Sequence, residues 1–110
     1  MEYQRAKDLL IHEGTSENGI HVCVRSRTDP GHERMMRIVD AIETLIEMED
    51  LTAPLDRKLA YSLFVIALET NAQSYSWQET KLWRDGGFND DLIAIQDRIT
   101  QYLEGTMVFD

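Results

Sequence analysis

A chain of 110 residues has the size of one domain, and a hydrophobic content of 43% is ordinary for a globular protein, which argues against wholesale disorder. Twenty acids against eleven bases leave a net charge of −9, which disfavours binding to nucleic-acid phosphates or anionic membranes and favours a basic partner. With Cys23 as the only cysteine, no intrachain disulfide can form.

The opening "MEYQRAKDLL" carries charges throughout and has no apolar signal core. The longest nearly apolar run, "LAYSLFVIAL" from Leu59 to Leu68, is half the length that spans a bilayer. A cytoplasmic location without membrane contact is expected. Residues 2–13 are predicted as a helix, with Tyr3, Ala6, Leu9, Leu10 and Glu13 at helical spacing and Gly14 as its C-terminal cap. "TSENG" follows as a turn around Asn18-Gly19. "IHVCVRSR" alternates Ile20, Val22 and Val24 with His21, Cys23 and Arg25, which predicts a strand over 20–26. Its partner would be "LLIH", making 9–25 a hairpin at the first helix's expense, or the tail "TMVF".

From residue 29 the pattern is helical, with Asp29 as N-cap and Pro30 at the first helical position. Met35, Ile38, Val39, Ile42, Leu45 and Ile46 form one apolar stripe, and Asp40, Glu43, Glu47 and Asp50 lie away from it. Pro54 opens the next element. Residues 55–75 are apolar almost all round, with Lys58, Ser62, Glu69 and Gln73 as a narrow polar strip, which predicts a helix buried at the centre of the domain. "SWQE" at 76–79 matches a Ser-x-x-Glu capping box and predicts a short helix ended by Gly86-Gly87. The last helix runs from about Asn89 to Glu104, with Leu92, Ile95, Ile99, Tyr102 and Leu103 inward and Gly105 at its end. The expected architecture is mainly α: a single compact helical domain over 1–110, with four to five helices around the buried 55–75 helix and a small β element from strand 20–26.

Motifs for chemistry are sparse. Counted from Asp85 as the first position of a calcium loop, Asp90 stands where glycine belongs and Gln96 where glutamate belongs. Asn89, Asp90 and Asp91 read better as helix N-terminal residues. His21 and Cys23 share a face if 20–26 is a strand, and His32 could complete a three-ligand zinc site; this is the basis for a small metal-dependent enzyme as an alternative. "RDGG" lacks the Lys-Ser/Thr of a phosphate loop, and no Gly-x-Ser-x-Gly occurs. The expectation is therefore a non-enzyme without metal or cofactor.

Charge distribution is the more informative signal. Asp40, Glu43, Glu47, Glu49, Asp50 and Asp56 follow one another with no base between Ile38 and Asp56. Asp85, Asp90, Asp91, Asp97, Glu104 and Asp110 face Arg98 alone, while Arg25, Arg27, Arg34 and Arg37 cluster with His32. This pattern fits an acidic protein-binding module, of the inhibitor, immunity or antitoxin kind, that captures a basic toxin or nuclease by electrostatic steering. Candidate partner-binding residues are Asp40, Glu43, Glu47, Asp50, Trp77, Trp83, Asp85, Phe88, Asp90 and Asp91, with Tyr75 as a further aromatic anchor. The other alternative is a structural or adaptor subunit that homo-oligomerises through the apolar 55–75 helix; the chain is expected to be a monomer or a homodimer.

Overall fold

The computed structural model describes residues 1–48, 54–74 and 87–105. Helix α1 spans Tyr3–Thr15, α2 Ile20–Arg25 and α3 His32–Glu47. Helix α4, Arg57–Phe64, passes without a break into a π-helical stretch, Val65–Glu69, and returns to α-helix as α5, Thr70–Ser74. Helix α6 spans Phe88–Gly105. No helix among the described residues is long and apolar enough to cross a membrane.

The four long helices close a ring in the order α1, α3, α6, α4, because α1 packs on α3 and α4, and α6 packs on α3 and the π stretch. Polar contacts fix the directions. Glu13 near the end of α1 meets Arg34 near the start of α3, so these two run antiparallel. His32–Asp91 and Glu43–Arg98 contacts make α3 and α6 parallel. Lys7–Asp56 ties the start of α1 to the start of α4. Helices α3 and α4 therefore lie diagonally opposite, and their outer faces point away from each other. The core between them holds Ala6, Leu10, Ile20, Val24, Met35, Ile38, Ile42, Leu45, Leu59, Leu63, Ile66, Phe88, Leu92 and Ile95. Each large apolar side chain buried there stabilises the fold by about 1.5–3 kcal/mol.

Several expectations need correction. The predicted strand 20–26 is helix α2, and no strand occurs among the described residues. Ile20 and Val24 are both buried, four apart, so the alternation that looked like a strand also satisfies one face of a helix. A lone strand leaves its backbone groups unpaired, whereas one helical turn pairs them internally. The Gly19 carbonyl accepts from the Val22 and Cys23 amides to start α2. The Thr28 amide reaches the Cys23 carbonyl and the Arg27 amide reaches that of Val24, a Schellman ending with Arg27 at φ 58°, where glycine is usual. The first segment is thus two helices, neither a hairpin nor a helix followed by a strand.

Gly14 does not cap α1. It sits inside the helix, where a Cβ would lie 2.6 Å from the carbonyl oxygen and Cβ of Ser62 on α4. It is the point at which two helix backbones touch. Helix α3 starts later than Asp29-Pro30 suggests, because Asp29 Oδ1 accepts from the Gly31 amide in a local turn and Gly31, at φ 92°, is the residue that leads into the helix. Asp56 caps α4 instead, accepting from the Lys58 and Leu59 amides. The short helix expected to start at Ser76, its Gly86 end and the tail "TMVF" lie outside the described residues.

The 57–74 helix is not buried all round, which overturns the expected architecture around a buried 55–75 helix. Ser62, Thr70 and Ser74 are inside, together with Leu59, Leu63, Val65 and Ile66. Tyr61, Phe64 and Leu68 are outside. The physical reason is the tight α1–α4 seam. Ser62 lets α1 approach through Gly14, Thr70 and Ser74 lie on α5, which packs on α2, and the Ser62 and Ser74 hydroxyls are satisfied locally by the Lys58 and Asn71 carbonyls. The two aromatic side chains of the helix, Tyr61 and Phe64, are then turned outward.

Candidate protein-binding surface

Two outward faces result, one on each side of the ring. On α3, Asp40 and Glu47 are exposed and Glu43 is half-buried; with Thr44 and Met1 they line one shallow cavity. Arg98 on α6 is the cation that reaches this strip, through Nε to Glu43 Oε1 at 2.9 Å, and it also donates from Nη1 to Asp97 at 2.7 Å. One guanidinium thus bridges Glu43 and Asp97, and Asp40 and Glu47 have no ion pair among the described residues. The strip exists because the six apolar positions of α3 occupy its inward faces and leave the acids no other side.

The opposite face belongs to the 57–74 helix. Tyr61 is 60% exposed, Phe64 51% and Leu68 53%. Arg57 and Ala72 are exposed in line with them. The π stretch widens the helix by one residue, so Leu68 and Glu69 are both exposed. In that stretch the carbonyl of Ala67 accepts from Gln96 Nε2 at 3.0 Å, which docks α6 beside it. Tyr61, Phe64 and Leu68 were missed as surface residues. The signal was present in Gly14 and Ser62, the small residues of the α1–α4 seam, and in Thr70 and Ser74 on α5, which packs on α2.

The remaining expected residues divide. Asp90 is exposed as anticipated. Phe88 is 1% exposed and belongs to the core, so it is not a surface anchor. Asp91 is 8% exposed, and both its carboxylate oxygens lie about 3 Å from His32 Nδ1; it links the starts of α3 and α6 and does not belong to an open acidic face. Asp50, Tyr75, Trp77, Trp83 and Asp85 lie outside the described residues.

The basic cluster is reduced in a similar way. Arg34 donates from Nε and Nη2 to the two oxygens of Glu13, which is 6% exposed, and from Nη2 to the Asn18 carbonyl. Arg25, Arg27 and Arg37 remain at the surface. The zinc alternative fails on geometry. Two residues apart on α2, His21 and Cys23 point about 200° apart, and His32 is engaged with Asp91 on another helix. No group of three or more metal-binding side chains occurs among the described residues. Burial pushes the Cys23 thiol up, and its Sγ donates to the Thr28 carbonyl. His21 is pushed down, first by burial and then by Arg25, with Glu69 opposing. Its Nδ1 is buried with no hydrogen-bond partner among the described residues.

No family model, curated protein or solved structure matches this chain.

Proposed function

We propose that this chain is an acidic protein-binding module that captures a basic partner protein, as an inhibitor of the immunity or antitoxin kind does. The observation that carries the reading is the α3 strip. Asp40 and Glu47 are exposed on either side of half-buried Glu43, and Arg98, which bridges Glu43 and Asp97, is the one basic side chain paired with the strip among the described residues. Exposed charges of one sign held on a rigid helix attract an oppositely charged surface over roughly a Debye length, about 8–10 Å at physiological salt. Such a field raises the rate of capture, which is what an inhibitor of a toxic activity requires.

The test is a pull-down from the native host with the wild-type chain and with Asp40→Lys/Glu47→Lys. The expected result is a stoichiometric protein of high isoelectric point, held by the wild type at low salt, released at high salt and absent from the variant. A partner that binds both chains alike, or resists high salt, would remove the electrostatic basis of the proposal.

A further inference from the structure

We infer that the Tyr61–Phe64–Leu68 face is a homodimer interface, on which a second copy of this chain packs its own 57–74 helix antiparallel about a two-fold axis near Phe64. The face is on the opposite side of the ring from the acidic strip and does not depend on the role proposed for it.

Its composition is the first reason. The helix buries Leu59, Leu63, Val65 and Ile66 together with Ser62, Thr70 and Ser74, and still leaves a tyrosine, a phenylalanine and a leucine exposed in one line. Such a contiguous stripe marks a covered surface. The second reason selects the occupant. Along the stripe the order is Arg57, Tyr61, Phe64, Leu68, Ala72, all exposed, and Glu69 is exposed at its edge beside Leu68. A basic residue at one end and an acidic one at the edge of the other flank an apolar middle, so the face is complementary to itself when reversed. With Phe64 beside the axis, Tyr61 of one copy meets Leu68 of the other. Arg57 then comes within a helical turn of the other copy's Glu69, and symmetry repeats that pair at the far end. Neither Arg57 nor Glu69 has an ion-pair partner among the described residues. A basic foreign helix would leave Arg57 facing like charge, whereas a second copy pairs both ends. The π stretch contributes by bringing Glu69 to the surface beside Leu68. Because α3 is diagonal to α4, pairing here keeps the two acidic strips apart and limits repulsion between two chains of −9.

The experiment is sedimentation equilibrium of the purified full chain across micromolar concentrations, with circular dichroism confirming that each variant is folded. The wild type is expected to dimerise. Phe64→Glu buries a charge at the axis twice over and is expected to weaken the dimer by about 100-fold or more. Arg57→Glu and Glu69→Arg alone each place like charges together at both ends and are expected to weaken it about tenfold. The double variant, with both ends exchanged, is expected to restore the wild-type constant. Those positions are twelve residues apart, roughly 17 Å along one helix, so restoration reports a contact between copies and not one within a chain. A wild-type monomer throughout the range overturns the inference, as does a dimer that survives Phe64→Glu or a double variant no better than the singles. Since the assay contains no partner protein, none of these outcomes bears on the acidic strip.

Discussion

Replacing Gly14 by alanine sets two effects of known sign against each other. Inside an exposed helix the change would stabilise by about 1 kcal/mol, because alanine is the better helix former. Here the new methyl would stand 2.6 Å from the carbonyl oxygen of Ser62, where ordinary contact begins at 3.4 Å. The obstacle is backbone, which cannot rotate aside as a side chain can. Helices α1 and α4 must part by about 1 Å, loosening the neighbouring contacts of Ala6, Leu10, Leu59 and Leu63, whose dispersion energy falls steeply with separation. Overpacking of this kind costs about 3 kcal/mol at the upper end of its usual range. The net expectation is a loss of roughly 2 kcal/mol, or a fall in Tm of roughly 8 °C for a domain of this size. Urea denaturation followed by helical circular dichroism measures it directly. Adding Ser62→Gly is not expected to rescue the variant, since the Ser62 carbonyl remains. If Gly14→Ala proves as stable as the wild type or more so, propensity has won, and the close α1–α4 approach is refuted together with the account of why Tyr61 and Phe64 are turned outward on α4.

Phe88→Ala removes a ring that is 1% exposed, and a cost of about 4 kcal/mol is expected in the same denaturation assay; a stable variant defective only in binding would return Phe88 to the surface. Stability should also respond to pH through His21. Burial and Arg25 hold its folded pKa below the ordinary 6.5, so between the two values the unfolded chain binds more protons. Stability from this group is present above 6.5 and is lost as pH falls through the folded value. The groups facing the imidazole are Arg25, which adds to the shift, and Glu69 and Glu13, which oppose it, Glu13 through its main chain and its charge. His21→Leu should flatten the decline of Tm on acidification relative to wild type, and parallel profiles for the two chains would show that another group is responsible.

How much was legible from sequence follows from which interactions are local. Helices α1, α3 and α6 were readable because each carries a period near 3.6, and Met35, Ile38, Val39, Ile42 and Leu45 go inside as their spacing requires. The acidic strip on α3 follows from the same register. Residues 20–25 were misread because Ile20, Val22 and Val24 fit a strand and a helix equally well over six residues, and only the missing β partner decides between them. The orientation of the 57–74 helix was beyond sequence for a different reason. A helix apolar all round has no preferred inward side by hydrophobicity, so the choice fell to shape: Gly14 admits Ser62, which faces α1, and Tyr61, Phe64 and Leu68 are left outside. Composition and period thus determined that the chain is helical and acidic. Only the packing of one helix backbone against another decided which apolar residues meet solvent, because that contact joins residues 14 and 62, which no local pattern connects.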